Sequence, residues 1–84
     1  MKDKVLVRVS MPMADMAYDI RIPYDLKCAT VTEMIAEMFK NLNRGNLPIG
    51  NTPLLWFTRE DCVLDDTKTL REYGITDSDM LLLI

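Results

Sequence analysis

The sequence predicts a single α+β domain over residues 1–84, in which one α-helix packs on a mixed sheet of four to five strands. Three observations support this fold class. Only the segment Thr30–Asn43 combines helical length with helical periodicity. Several shorter segments alternate apolar and polar residues, as strands do. The predicted order is strand, strand, helix, strand, short strand, strand, without a repeat or a linker, and this order is typical of the β-grasp arrangement.

The predicted helix carries apolar residues on one side. They occupy positions i, i+3, i+4, i+7 and i+11, namely Val31, Met34, Ile35, Met38 and Leu42. Thr30 is a favourable N-cap, and Glu33 completes a capping box that satisfies two backbone N–H groups. Gly45 tolerates the positive φ that often follows a helix end. Because a helix of this length is marginal alone in water, we expect its apolar side to lie on the sheet.

The first two strands are predicted as an antiparallel hairpin. Lys4–Ser10 and Tyr18–Ile22 both alternate, and residues 11–17 form the loop between them. The side chains expected on the inner face are Val5, Val7, Val9, Tyr18, Ile20 and Ile22. Leu6 is expected on the opposite face. Pro23 ends the second strand because it has no N–H to donate to a ladder.

The second half of the chain supplies the remaining strands. Residues 43–53 are predicted as a loop because they contain two glycines, two prolines and three asparagines. Strands follow at Leu54–Thr58 and Cys62–Leu64, a helical or 3₁₀ turn at Thr69–Tyr73, and a last strand at Met80–Ile84. A continuous apolar run suits a central strand, so we expect the last strand to lie beside the first, in parallel.

Composition narrows the range of partners. The formal charge is −3 and the pI is about 4.7, with no basic cluster, which disfavours binding to nucleic acid or to an anionic membrane. We expect no direct membrane insertion, since the longest apolar tract is Met80–Ile84, and no signal-peptide core in the segment MKDKVLVRVS. Cys28 and Cys62 form no CxxC motif, and a cytoplasmic protein with two free thiols is the simplest interpretation, although their spacing leaves a disulfide open.

No enzyme site is predicted. The chain contains no histidine, so neither cysteine has an imidazole base and no zinc-ligand set can be completed. Four aspartates at turns match no calcium loop and are interpreted as solvated turn residues: Asp65, Asp66, Asp77 and Asp79. A phosphate-cradling glycine loop is absent from the sequence. We therefore expect a non-catalytic protein without a cofactor or metal.

Sequence motifs in the last third carry a family resemblance. The run VLDDTKTLREYGITDSDMLLLI resembles the ubiquitin-like pattern of a leucine, an acidic turn, Thr-Leu, Tyr-x-Ile and a final alternating strand. The strand LLWF resembles the Leu-x-Phe strand that precedes it. The YDIRIP strand, the tryptophan and the chain length are most similar to small bacterial proteins of the YukD/EsaB family. That resemblance implies a cytoplasmic accessory or regulator of a type VII (ESX, WXG100) secretion system.

One departure from the ubiquitin pattern concerns the C-terminus. Ubiquitin and sulfur carriers of this fold need a flexible Gly-Gly tail, whereas no glycine follows Gly74 here and the sequence stops at Ile84. The resemblance therefore implies a protein that is not conjugated. The alternatives are a carrier activated at its C-terminus and a ubiquitin-like domain that works with a larger membrane component.

The face of the sheet opposite the helix is the predicted binding surface. Leu81 and Leu83 are expected to face the helix, which leaves Leu82 and Ile84 on the open face together with Trp56. With Leu6, these side chains would form an exposed apolar area of the kind that binds proteins, and the corresponding surface of ubiquitin does so. In the alternative arrangement, the loop 43–53 covers Trp56 or the two faces are exchanged.

Two further expectations concern the loops. The first hairpin loop contains Met11, Met13 and Met16, which either contribute to an adaptable binding surface or tuck against the sheet edge. Tyr73 matches a tyrosine that, in ubiquitin-like proteins, hydrogen-bonds the backbone of the preceding loop. We expect a protein partner, such as a secretion-system component, and a monomer or a weak homo-oligomer.

Overall fold

A computed structural model of the chain describes residues 3–42 and 52–84. The strands are β1 (Lys4–Met11), β2 (Met16–Pro23), β3 (Leu55–Phe57), β4 (Cys62–Val63) and β5 (Met80–Leu83), and the helix is α1 (Cys28–Leu42). A short 3₁₀ turn, Pro12–Ala14, joins β1 to β2. The element order and the α+β class match the prediction.

The strands form a 5-stranded mixed sheet in the order β2-β1-β5-β3-β4. Strands β1 and β5 run in parallel at its centre, with Val9 opposite Leu81, and every other neighbouring pair is antiparallel. This confirms that the last strand lies beside the first. The backbone N–H of Ile84 also donates to the Leu54 carbonyl at 2.9 Å, and the reverse bond has the same length.

The core lies between the sheet and α1. Alternating residues of β1, β3 and β5 face it and are almost completely buried: Val5, Val7, Val9, Leu55, Phe57, Leu81 and Leu83. The predicted inward set is therefore confirmed for these strands. In β2 the burial is graded, since Ile22 is 2% exposed whereas Tyr18, near the other end of the strand, is 40% exposed.

The buried side of α1 differs from the predicted stripe. Val31 and Ile35 are buried as expected, but Met34 and Leu42 are 50% and 52% exposed. Their places in the core are taken by other residues of the helix: Cys28, Thr32 and Phe39. Phe39 is fully buried, and its ring meets the Tyr18 ring edge-on at 5.5 Å between centroids. The helix thus turns its large aromatic side chain inward, and aromatic residues dominate core energetics.

The start of α1 is also different. The helix begins at Cys28, so Thr30 lies inside it and the predicted capping box with Glu33 is wrong. Backbone carbonyls of the loop after β4 satisfy the first amides instead: Cys28 N donates to Lys68 O at 2.7 Å and Ala29 N to Asp66 O at 3.3 Å. The predicted end at Asn43, and Gly45, lie outside the described residues.

The first hairpin is tighter than predicted. Strands β1 and β2 extend until Met11 opposes Met16, which leaves residues 12–15 as the connection. Pro12 starts the 3₁₀ turn, and Asp15 closes it at φ 52° in the left-handed region. Proline favours the first position of such a turn and aspartate tolerates positive φ, which explains the short connection.

Candidate functional site

The open face of the sheet carries a continuous row of apolar side chains. Trp56 on β3 lies opposite Val63 on β4 and Leu82 on β5. Directly opposed residues bring their side chains within about 5 Å of each other on the same face. Trp56, Leu82 and Ile84 therefore lie on the face away from α1, as the sequence predicts. Trp56 and Leu82 are half-buried, and Ile84 is 44% exposed.

Three apolar residues that were not predicted as contacts extend this row. Each of them is about 40% exposed: Leu54, Val63 and Met80. Leu54 and Met80 share the open face with Trp56 and Leu82 because each precedes its neighbour by two residues, and Val63 shares it because it pairs with Trp56. We call the combined surface the open-face patch; it consists of Leu54, Trp56, Val63, Met80, Leu82 and Ile84. The alternation of Met80, Leu82 and Ile84 contained the signal for Met80. Val63 could be found only from its pairing with Trp56.

Leu6 lies on the same face of the sheet, at the border of the open-face patch. It opposes Arg21, whereas Leu82 is aligned with Ser10, four residues further along β1. At the rise of a β-strand this offset is roughly 13 Å. Arg8 lies between, and its guanidinium pairs with Asp19 at 3.1 Å. Met80 of the patch is aligned with Arg8, the next residue on this face of β1 after Leu6, so Leu6 borders the patch at Met80 and stays a predicted contact, although it is distant from Leu82.

The three methionines of the first hairpin do not share one environment. Met11 is fully buried because it continues the inward alternation of β1 after Val9. It cannot contact a partner, so its assignment to a binding surface is wrong. Met16 is half-buried, and Met13 in the 3₁₀ turn is 69% exposed. Met13 therefore remains a predicted contact.

The turn aspartates hold the loops together. The Asp65 carboxylate accepts from Thr67 N and Thr67 Oγ1 at 2.8 and 2.7 Å, and these bonds hold the pKa of Asp65 below its usual value. Asp77 accepts from Leu6 N at 2.9 Å. Among the described residues, no cluster of three or more histidines, cysteines or acidic residues could hold a metal ion.

A paired carboxylate fixes the turn before β5. Asp79 accepts two bonds from the Arg59 guanidinium, at 3.1 and 3.2 Å, and one from Thr76 N at 2.8 Å. Burial raises the pKa of Asp79, but these hydrogen bonds outweigh burial and leave the pKa lowered. The same guanidinium lies 5.0 Å from the centre of the Phe57 ring. Arg59 thus ties the β3–β4 turn to the start of β5.

Tyr73 fixes the loop after β4. The backbone N–H of Asp65 donates to the Tyr73 hydroxyl at 2.7 Å, which is the contact that the resemblance implied. The ring is half-buried and meets Phe57 edge-on at 6.3 Å. Tyr73 therefore joins the loop to the core.

Both cysteines are free thiols, so the disulfide alternative does not hold. Cys28 is fully buried at the start of α1. Burial, followed by the nearby charges of Asp66, Asp65 and Glu72, raises the pKa of Cys28 to about 11. A thiol with that pKa is almost entirely protonated at neutral pH, and the thiolate is the nucleophilic form. Cys28 is a small core residue here.

Two remaining expectations concern a loop over Trp56 and insertion into a membrane. Residues 43–51, which make up most of the loop that would cover Trp56 in the alternative arrangement, lie outside the described residues. Within residues 3–42 and 52–84, no helix has the length and apolarity needed to cross a bilayer.

The fold is similar to that of known ubiquitin-like domains. The ubiquitin-like domain of EccD5 from Mycobacterium xenopi superposes with a TM-score of 0.81 at 16% identity, covering 99% of this chain and 94% of that one. A chain of the MycP5-free ESX-5 inner membrane complex gives 0.80 at 19% identity, covering 99% of this chain and 21% of that one. The ubiquitin-like domain of Plasmodium falciparum Dsk2 gives 0.72 at 17% identity, covering 95% of each chain. At these identities the likeness establishes the β-grasp, ubiquitin-like fold.

The sequence itself places the chain in a family. No curated protein sequence matches it significantly. The family model described as protein YukD of the WXG100 protein secretion system (Wss) matches residues 6–83, which is nearly the whole chain. The chain therefore belongs to the YukD family of the WXG100 protein secretion system and has a ubiquitin-like fold.

Proposed function

We propose that this chain is a non-catalytic accessory or regulatory module of a WXG100-type (type VII) secretion system and that it binds a component of that apparatus through the open-face patch. The observation that carries the proposal is the continuity of Trp56, Val63 and Leu82 across three strands. Apolar patches rimmed by polar residues usually mark protein interaction sites. Membership of the YukD family supplies the class of partner.

The patch has the composition of an interaction surface. Tryptophan is enriched among residues that dominate binding energy, and Trp56 lies at the centre of the row between Val63 and Leu82. The charged pair Arg8–Asp19 borders the row on the same face. A central aromatic residue with a polar rim is the arrangement found in specific protein interfaces.

We place this activity in the cytoplasm. Both thiols are free, which suits a reducing compartment. Similar folds occur in the ubiquitin-like domain of EccD5 and in a chain of an ESX-5 inner membrane complex. By analogy, the partner of this chain would be a component of such a complex.

We further propose that the segment up to Ile84 acts as part of the sheet and is not presented to an activating enzyme. A carrier presents its terminal segment to the activating enzyme as a flexible tail. Here the Ile84 N–H and C=O both pair with Leu54 at 2.9 Å, so the chain is part of the sheet up to that residue. Incubation with an activating enzyme and ATP tests this point, and formation of an adenylate or a thioester would contradict it.

Site-specific photo-crosslinking in the native host tests the binding proposal. A photoreactive amino acid is placed at Val63 or Met80 in the patch and, as a control, at Lys40 on α1. All three positions are exposed, so the fold should tolerate the replacement. We expect crosslinks to a secretion-system component from Val63 and Met80 only.

A variant series provides the functional readout. Trp56→Ala should reduce secretion of the WXG100 substrate, whereas Lys40→Ala should not, with both variants checked for folding by circular dichroism. Crosslinks from Lys40 but not from the patch would contradict the assignment of the surface. Patch crosslinks that reach only proteins outside the secretion system would contradict the assignment of the partner.

A further inference from the structure

The free edge of the sheet presents unpaired backbone groups. Strand β2 lies at the edge, and no described residue pairs with its outer side. Arg8 N donates to Asp79 O and Ser78 N to Leu6 O, so even-numbered residues of β1 point their amides toward β5. Backbone groups alternate along a strand, so the odd-numbered residues of β1 bond their even-numbered partners on β2. The N–H and C=O groups of Ala17, Asp19 and Arg21 therefore point outward.

An apolar groove runs along this edge between β2 and α1. The groove has a volume of about 70 Å³ and is open to solvent, and its lining residues are Ile20, Arg21, Ile22, Val31, Met34, Ile35 and Met38. Met34 is 50% exposed and Tyr18 is 40% exposed. Both side chains were predicted to face the core. Their exposure leaves apolar surface directly beside a row of unpaired backbone groups.

We propose that a second copy of this chain occupies this edge, so that two β2 strands pair antiparallel and the two sheets become continuous. Charge complementarity along β2 favours this occupant. Asp19 and Arg21 are both exposed on the open face of β2 and both belong to the outward-bonding set. Asp19 uses Oδ1 to bind Arg8, while Arg21 has no ion-pair partner within the described part of the chain.

Only one register pairs opposite charges. If Asp19 opposes Arg21 of the second copy, two-fold symmetry places Arg21 opposite Asp19 as well, and both pairs are hydrogen-bonded pairs of the new ladder. Shifting the register in one direction places Asp19 opposite Asp19 of the second copy, and shifting it in the other direction places Arg21 opposite Arg21 of the second copy. Like charges directly opposite are destabilising, so the alternatives are disfavoured. In the favoured register Pro23 opposes Ala17, where it still accepts a bond through its carbonyl.

The favoured register also covers the exposed apolar side chains on the helix side. Ile20 opposes Ile20 of the second copy, and Tyr18 opposes its Ile22. These are non-hydrogen-bonded pairs, in which side chains approach most closely. Met34 and Met38 of the two helices then border the joint, and methionine adapts to irregular contacts. The proposed interface is separate from the open-face patch, so a secretion-system partner and a second copy could bind together.

Sedimentation equilibrium tests the proposal with charge-reversed variants. We expect the wild type to dimerise at protein concentrations within a range that extends to about 1 mM. Arg21→Asp places a carboxylate opposite Asp19, and Asp19→Arg places a guanidinium opposite Arg21. Each variant alone should dimerise at least about tenfold more weakly than the wild type. An equimolar mixture of the two should recover dimers, because each variant then meets the opposite charge.

Amide hydrogen exchange gives an independent readout. On dimerisation, the amides of Ala17, Asp19 and Arg21 should become protected, while Met13→Glu at the distant hairpin turn should leave the association unchanged. A wild type that stays monomeric over the whole range would overturn the proposal. A dimer that tolerates both charge reversals but is lost in Trp56→Ala would place the contact on the open-face patch and would also overturn it. Failure of the mixture to recover dimers would reject the register.

Discussion

Replacing Phe39 tests which side of α1 faces the core. Phe39 is fully buried and contacts the Tyr18 ring, whereas Met34, on the same helix, is 50% exposed. Truncating a buried phenylalanine costs about 3–5 kcal/mol through lost burial and the cavity left behind. Complete burial of a methionine contributes about 1.5–3 kcal/mol, so a half-exposed one contributes about 1 kcal/mol, partly offset by the higher helix propensity of alanine. Phe39→Ala should therefore destabilise several times more than Met34→Ala.

Urea denaturation followed by far-UV circular dichroism measures the difference. A domain of this size has a free energy of unfolding of roughly 4–12 kcal/mol, so Phe39→Ala is expected to remove from about a quarter to all of it. Phe39→Leu, which we expect to lose about 1–2 kcal/mol, keeps the comparison measurable. If Met34→Ala lost clearly more stability than Phe39→Leu, the buried side of the helix would be the one that the sequence predicts, and the observed packing would be refuted.

Three further predictions concern the turns. Tyr73→Phe keeps the ring contacts but removes the acceptor for a backbone N–H, so it should cost about 1 kcal/mol and lower the Tm by about 4–8 °C, whereas Tyr18→Phe should change it little. Gly74 has φ +66° and nothing within 4 Å of the place that a Cβ would occupy, so Gly74→Ala should cost about 1 kcal/mol from backbone strain alone, and Gly74→Asn less, in the same urea denaturation. The pKa of Asp79 is lowered, so its charge stabilises the fold above the unfolded-state pKa of about 4, and this contribution disappears as the pH falls through the lowered pKa. Asp79→Asn should therefore be less stable than the wild type near neutral pH in chemical denaturation, and the two should converge in acid.

The strand pattern was predictable because the side-chain period of a strand is two. Once Val5, Val7 and Val9 are assigned to one face, the faces of the neighbouring strands follow from alternation. The same logic places Trp56 and Leu82 on the open face without any structural information. The register between strands was not predictable in this way. It decides that Leu6 lies beyond the Arg8–Asp19 pair and that Val63 lies beside Trp56.

The sequence predicts that a helix forms at this position, but it does not predict which side of the helix faces the sheet. Val31 and Ile35 belong to both possible apolar stripes, with Met34 and Met38 on one side and Thr32 and Phe39 on the other. Periodicity alone does not choose between them, since the choice depends on which side chains fit the sheet. The helix start was unpredictable for a similar reason, because its amides bond carbonyls of a loop about forty residues away in sequence, beyond the reach of local capping patterns.

The fluorescence of Trp56 tests the proposed binding surface most directly, because it is the only tryptophan in the chain and lies within the open-face patch. The purified protein is titrated with a purified domain of the secretion-system component that crosslinks to Val63. We predict a saturable shift of the emission to shorter wavelength as the indole loses contact with water, and no such binding by the Trp56→Ala variant in a parallel calorimetric titration. Binding of the same domain with unchanged emission and undiminished affinity of Trp56→Ala would contradict the assignment of this surface.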